Sequence, residues 1–227
     1  MIRGGRVCFH RRMRLGLGSV VHCTDAPFGE LADVVVDPVS RRVTHLVVQP
    51  HHRHDCARLV PVERASAAGD GVALDCSIAD IEALEPLQES AYLRVGEFPV
   101  SDPDWAIGTQ DVLALPLYQE VDGMGSVIDP DPHVTVNYDR IPKHEVEIRR
   151  SSAVMSADGH RLGHVDGFLV GSGETADIVL ERGHLWGRRE IVIPAAAVAR
   201  VENDSVTLSV TKDEVEALAA RRVHRWY

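Results

Sequence analysis

The sequence contains the stretch Gly29-Glu30-Leu31-Ala32-Asp33-Val34-Val35-Val36-Asp37, and its pattern returns further along as Gly163-His164-Val165-Asp166-Gly167-Phe168-Leu169-Val170. Two later segments repeat in the same order. Leu59-Val60-Pro61 aligns with Val192-Ile193-Pro194, and Val72-Ala73-Leu74 aligns with Val206-Thr207-Leu208. A pattern that recurs at a nearly fixed offset indicates two copies of one folding unit.

Each copy has the residue pattern of short strands. Val206 and Leu208 alternate with Thr207 and Ser209, the period of two expected for a strand with one buried face. Turn-forming residues such as Asp37-Pro38 separate the runs. We expect about five short strands in each copy, closed into a small barrel because closure removes exposed strand edges.

Both copies end on a helix-capping pattern. Ser77 precedes Asp80 by three residues, and Thr211 precedes Glu214 by three residues. A hydroxyl three residues before an acid is typical of a helix N-cap. The sequence therefore predicts a mainly β fold: two small antiparallel β-barrels related by internal duplication, each ending in a short helix.

The repeats divide the chain into five segments. A basic flexible tail covers 1–14, the first barrel 15–85, a connecting segment 86–144, the second barrel 145–218, and a basic C-terminal tail 219–227. The connecting segment is acidic and rich in Pro, but it also contains apolar side chains, among them Trp105, Leu115 and Val136. Leaving these in water is costly, so we expect the segment to pack on the barrels.

Composition narrows the class of protein. The chain has 227 residues, 44% hydrophobic and 26% charged, which is typical of a globular protein. Its net charge of −10 has the wrong sign for coating nucleic acid. The sequence has no apolar run long enough to span a bilayer and no secretory signal pattern. We therefore expect a cytoplasmic protein without a membrane span.

The order of motifs resembles a known domain family. In the first copy, Arg42-Val43-Thr44-His45-Leu46-Val47-Val48 and then Arg58-Leu59-Val60-Pro61 follow the opening stretch; the second copy has Glu190-Ile191-Val192-Ile193-Pro194 at the corresponding place. This pattern resembles the PRC-barrel domain, in two tandem copies. Such domains occur in the H subunit of photosynthetic reaction centres and in a ribosome maturation factor. The resemblance implies small antiparallel barrels used for docking, and it implies no enzyme.

A metal site is one interpretation of the His-rich segment. On an extended strand, His52, His54 and Cys56 would project from one side as three zinc ligands. The other interpretation is a solvated hairpin tip. It is favoured because the second copy has His184-Leu185-Trp186-Gly187-Arg188-Arg189 at this place, where only one residue could bind a metal. We therefore assign no metal and no cofactor.

The cysteines show no paired spacing. Cys8, Cys23, Cys56 and Cys76 contain no CxxC motif, so a disulfide framework is not indicated. Cys23 and Cys76 align with apolar positions of the second copy. We interpret both as small hydrophobic residues.

The two hairpin tips are also candidate interaction surfaces. The residues are His51, Arg53, His184, Trp186, Arg188 and Arg189. Aromatic and cationic side chains close together are typical of docking sites, and equally of local cation–π packing. The chain contains no GxSxG, Walker, dinucleotide-binding or HExxH motif, so we assign no catalytic residue.

These observations predict a non-catalytic cytoplasmic adaptor that docks a protein partner through tandem PRC-like barrels. The alternative is an RNA- or ribosome-associated factor, which would use the Arg-rich tails although the net charge disfavours nucleic acid. A homodimer is a further expectation, because duplicated faces can leave edges that pair with a second copy.

Overall fold

The structure is a computed structural model, and it describes residues 12–51, 53, 56–69, 71–94, 97, 104–114, 133–171, 175–182 and 189–217. The first half contains β1 (Met13–Gly16), β2 (Val20–His22), β3 (Pro27–Asp37), β4 (Arg42–Gln49), β5 (Arg58–Pro61), β6 (Ala65–Ala68), β7 (Gly71–Leu74) and α1 (Ile78–Glu82). The middle contains β8 (Gln88–Arg94), β9 (Trp105–Ala114) and β10 (His133–Pro142). The second half contains β11 (Val146–Arg149), β12 (Ala153–Met155), β13 (Arg161–Val170), β14 (Asp177–Arg182), β15 (Arg189–Ile193), β16 (Val198–Glu202), β17 (Ser205–Leu208) and α2 (Lys212–Ala217).

Two seven-stranded sheets have the same strand order. The first runs β5-β4-β3-β2-β7-β6, and the second runs β15-β14-β13-β12-β17-β16. In both, one pair is parallel, β2 with β7 and β12 with β17, and the other pairs are antiparallel. The prediction of a mainly β fold with short helices is confirmed.

Each sheet curls into a half-barrel. The strands at the two ends of the first sheet, β5 and β6, are joined only by a single 3-10 turn, Val62–Arg64. In the second sheet Ala195–Ala197 plays the same part between β15 and β16. Because three residues span only a short distance, the two ends of each sheet must come close together.

The seventh strand of each sheet comes from the other half of the chain. β1 pairs with β13, with Leu15 opposite Phe168 and Gly16 opposite Gly167. β11 pairs with β3, with Ile148 opposite Val34. The halves therefore exchange their first strands, and β1 begins at Met13, inside the stretch that the sequence assigns to the basic tail.

The exchange follows from the unequal lengths of the paired strands. β3 has 11 residues and β2 only 3, so β2 covers one end of β3 and leaves Asp33–Val36 open for β11. An open edge of that length exposes unsatisfied N–H and C=O groups. The borrowed strand satisfies them.

The two chain crossings touch each other. Residues 17–19 carry the chain from β1 to β2, and residues 150–152 carry it from β11 to β12. Gly18 has a φ of 82°, which glycine adopts readily, and a Cβ there would lie 3.2 Å from Nη1 of Arg150. The first strand of each half thus leaves its own sheet at one shared place.

One aliphatic core fills the space between the sheets. It contains residues from both halves and from both exchanged strands: Leu15 and Ile148 are 0% and 1% exposed, and Phe168 is 1% exposed. Truncating a fully buried Leu or Ile to Ala typically costs about 2–5 kcal/mol. The halves therefore share one core.

Both predicted helix caps are confirmed. The Ser77 hydroxyl accepts a hydrogen bond from the Asp80 N–H, and the Asp80 carboxylate accepts one from the Ser77 N–H at 2.9 Å. Thr211 and Glu214 make the same two bonds at α2, at 3.4 and 2.8 Å. These bonds satisfy N–H groups that a helix start leaves without partners.

A third sheet covers the outer face of the first. Its strand order is β8-β10-β9. Leu87 and Ile141 pack against Val35 and Val47 of the first sheet, and the Leu87 N–H donates to the Ala57 carbonyl at 3.0 Å. Among the described residues, no helix is long and apolar enough to cross a membrane.

We expect Gly167→Ala to destabilise the protein and Gly16→Ala to have little effect. A Cβ on Gly167 would lie 2.2 Å from the Leu15 carbonyl oxygen, so β1 would have to shift; the nearest atom to a Cβ on Gly16, directly opposite, is at 3.7 Å. Overpacking of this kind typically costs about 1–3 kcal/mol. Urea unfolding of both variants measures the difference. Equal stabilities would contradict the close approach of the exchanged strand.

Candidate functional site

A cleft of about 640 Å³ opens beside the two chain crossings, between the first sheet and the three-stranded sheet. Its lining comes from β3, β4, β8, β10, β11, both crossings and the residues just before β5 and β8. The residues are Gly18, Glu30, Leu31, Ala32, Asp33, Val47, Gln49, Ala57, Leu87, Gln88, Asn137, Asp139, Arg149, Arg150 and Ser151. Nine of these fifteen residues are polar or charged, and Val47 and Leu87 are among the apolar ones, so a group bound here would meet both hydrogen-bonding and apolar side chains.

Amide side chains form two walls of the cleft. Gln49 is only 3% exposed, and its Nε2 donates to Oε1 of Glu30 at 3.0 Å. On the opposite wall, Asn137 Nδ2 donates to Gln88 Oε1 at 3.3 Å, and the Ser90 hydroxyl donates to Asn137 Oδ1 at 2.6 Å. These bonds fix the orientations of the side chains in advance, which lowers the entropy cost of binding.

Arg149 and two carboxylates lie together in the cleft. The register of β11 on β3 sets Arg149 directly opposite Asp33, so both side chains lie on the same face. Arg149 Nη2 lies 3.4 Å from Asp139 Oδ2 of β10. The Arg149 Nε is buried and has no hydrogen-bond partner in the described part of the chain.

Asp33 is a strongly perturbed group of the cleft. Burial raises the pKa of its carboxyl well above the usual value, and the charges of Glu147, Asp139 and Asp204 raise it further. Arg149 acts in the opposite direction but does not cancel the rise. The proton is therefore held on Asp33 at a higher pH than on an ordinary aspartate.

Glu147 is one of the acids whose charge raises the pKa of Asp33. It is 0% exposed and follows Val146 on the exchanged strand. Asn203 holds this strand against the third sheet, because its Oδ1 accepts from the Glu147 N–H at 3.1 Å and its Nδ2 donates to the Gly108 carbonyl at 3.3 Å. Asp204, the next residue, is thereby brought within electrostatic range of Asp33.

The corresponding place on the second sheet is filled by Arg14 of β1. Its guanidinium binds both carboxylate oxygens of Glu190, at 2.8 and 2.9 Å, and reaches Asp166 at 3.1 Å. The strand registers align Asp166 with Ala32, at the bulge of each long strand, and align Glu190 with Ala57.

Only some of the residues that the sequence predicted lie within the described part of the chain. His51, Arg53 and Cys56 lie in the connection between β4 and β5, with His51 and Arg53 exposed. His52 and His54, like His184, Trp186 and Arg188, lie outside the described residues. Arg189 begins β15 opposite Arg182, and its side chain also lies outside the described part. In the described part no group of three His, Cys, Asp or Glu side chains could hold a metal ion.

Cys23 and Cys76 pack in the structure as small hydrophobic residues do. Cys76 is 3% exposed in the shared core, and Cys23 packs against that core. Burial raises the pKa of Cys76 and raises that of Cys23 to about 11. Both thiols therefore stay protonated near neutral pH, which makes them poor nucleophiles.

A family model matches the second sheet. It is DUF2171, described as an uncharacterized protein conserved in bacteria, and it matches residues 148–216. The matched segment contains the last two residues of β11, β12 to β17, and α2 except its last residue, which is less than a third of the chain. It excludes the exchanged strand β1. No curated protein matches the chain.

Sequence reasoning missed the cleft because its residues lie within strand patterns. Asp33 interrupts the apolar run Leu31–Val36, and Glu147 stands between Val146 and Ile148. A carboxylate inside an apolar run is the signal that was present, since buried acids are rare without a partner. Nothing local indicated that the two would share one site.

We expect Asp33→Asn to be more stable than the wild type, by an amount that grows as pH rises. The native pKa lies above the unfolded value, so the folded state binds more protons, and the free energy of unfolding falls as pH rises from about 4 through the native pKa. Asparagine does not ionise, so the variant does not lose this part of the free energy of unfolding as pH rises. Urea unfolding across that pH range measures the difference, with Glu63→Gln, an exposed carboxylate outside the cleft, as control. A difference that does not grow with pH would contradict the raised pKa.

Proposed function

We propose that the protein is a non-catalytic adaptor of the cytoplasm, whose cleft beside the chain crossings docks a protein partner. The observation that carries the proposal is the cleft itself. It joins an apolar floor at Val47 and Leu87 to preoriented amides and charges on its walls. A mixed lining of this kind favours recognition of a polypeptide segment, which also offers both apolar and hydrogen-bonding groups.

We further propose that the two halves are PRC-type barrels that arose by internal duplication. Support comes from the equal strand order, from bulges at the same place in β3 and β13, and from the caps of α1 and α2. In the described part, β5 and β6 are joined by a turn and not by a ladder. Closure of each barrel would then rest on side chains of that turn, such as Val62, which packs on the core.

Bonding within the cleft favours binding over catalysis. The described hydrogen bonds link Glu30 to Gln49 and Asp139 to Arg149, so they tie carboxylates to donors and not to a nucleophile. A carboxyl with a raised pKa, such as Asp33, is also what a general acid requires. Turnover of a bound partner or small molecule by the purified chain, lost in Asp33→Asn, would overturn the adaptor proposal.

The alternative of RNA or ribosome association depends on the Arg-rich tails. Residues 1–11 of the N-terminal tail and all of the C-terminal tail, 219–227, lie outside the described residues. Arg12 forms an ion pair with Asp177, and Arg14 is held by Glu190 and Asp166. Two of the five N-terminal arginines therefore bind carboxylates of the chain itself. Homodimerisation stays a prediction, which the molar mass in solution would test.

We expect Ser151→Trp to abolish partner binding and Ser66→Trp to leave it unchanged. Ser151 is exposed at the cleft, so an indole there would fill the opening, whereas Ser66 is exposed on β6 away from the cleft. Proteins captured from the host are purified and titrated against each variant. At least a tenfold loss of affinity is expected for Ser151→Trp only. A partner that binds both variants equally, or the lack of any partner that binds the purified chain, would contradict the proposal.

A further inference from the structure

We propose that the cleft recognises an arginine side chain presented by the protein partner, whose guanidinium pairs with Asp33 between Ala32 and Ala57. This inference rests on the proposed function and names the chemistry of the docked group. It is carried by the cleft, by the placement of Asp33 on its wall, and by what fills the same place on the second sheet.

The second sheet shows which group fits this position. There the guanidinium of Arg14 lies on the outer face and is held by Glu190 and Asp166. At the aligned positions of the first sheet stand Ala57 and Ala32, whose short side chains leave the space open. The residue aligned with Arg14 is Glu147, so no cation of the first sheet's exchanged strand stands at the position that Arg14 fills. The cation of that strand, Arg149, lies opposite Asp33, and its Nη2 is 3.4 Å from Asp139 Oδ2.

The electrostatics around Asp33 favour an added cation. The charges that act on it are Glu147 and Arg149 on β11, Asp139 on β10, and Asp204 after β16. Their combined effect with burial disfavours the ionised carboxylate. A cation in the cleft would reverse that effect and allow the proton to leave Asp33.

Arginine fits the position better than lysine. A guanidinium is planar and presents several N–H donors in a fixed fork, so it can bind Asp33 and also donate to a second acceptor such as the side-chain oxygen of Gln49. An ammonium group is a more strongly hydrated point charge and costs more to remove from water. The net charge of −10 also draws a basic partner segment toward the protein.

Titration of the full chain with N-acetyl-arginine amide tests the inference. Backbone NMR shifts report binding at Ala57, Gln88 and Ser151, residues that line the cleft. We expect saturable shifts there, with affinity at least tenfold weaker for N-acetyl-citrulline amide, the neutral isostere, and several-fold weaker for N-acetyl-lysine amide. Equal binding of the citrulline compound, or saturable shifts confined to residues outside the cleft, would overturn the proposal.

Two variants test whether Asp33 is the group that binds the arginine compound. Asp33→Asn keeps the shape of the side chain and is expected to be the more stable protein, so misfolding does not explain a loss of binding. We expect it to weaken binding of the arginine compound at least tenfold, and Glu63→Gln to leave binding unchanged. Equal affinity in wild type and Asp33→Asn would overturn the role of this carboxylate.

The outcomes separate this inference from the adaptor function. If Ser151→Trp loses a purified partner while the arginine compound fails to bind, the adaptor stands and the arginine inference is wrong. If the arginine compound binds but no protein partner does, the cleft is a site for a small cation and the adaptor proposal is wrong. If a bound partner's arginine can be replaced by alanine without loss of affinity, the docked group is a different one.

Discussion

The reciprocal exchange of β1 and β11 is the constraint on which the remaining structure depends. Each long strand, β3 and β13, is covered by its own short neighbour over one end only, and the other end pairs with the strand from the opposite half. Neither sheet can satisfy its backbone without the other. Leu15 and Ile148, the apolar residues of the exchanged strands, also complete the shared core. The two halves must therefore fold as one cooperative unit.

The exchange also determines where a binding site can form. Both crossings of the chain lie at one place, so Gly18 and Ser151 line the same cleft. The halves differ in what occupies the outer face next to the crossing. On the second sheet Arg14 neutralises Glu190 and closes the space, and on the first sheet small side chains keep it open. The position beside the crossing is thus filled on the second sheet and open on the first.

The sequence predicted the features that local patterns encode. The sequence repeat predicted that both halves contain the same order of strands. A hydroxyl three residues before an acid predicted both helix starts, at Ser77 and Thr211. The exchange could not be predicted, because the alternation in Met13–Gly16 is the same whether the strand pairs within its own half or with the other. The cleft was missed for the same reason, since its acids come from β3 and β10, which only the fold brings together.

The carboxyl of Asp33 does not contribute to folding stability when it is ionised. Its neighbours on β3 are apolar, and its charge is disfavoured both by burial and by the other acids around it. An uncharged residue at this position would cost less, so the acid lowers stability where it stands. Local conflicts of this kind tend to persist at functional sites, where interaction with a ligand offsets the loss. The second sheet has Gly167 at the aligned position and an internal arginine nearby, so it has no such conflict. The proposed recognition by the first sheet therefore rests on this asymmetry between the two sheets.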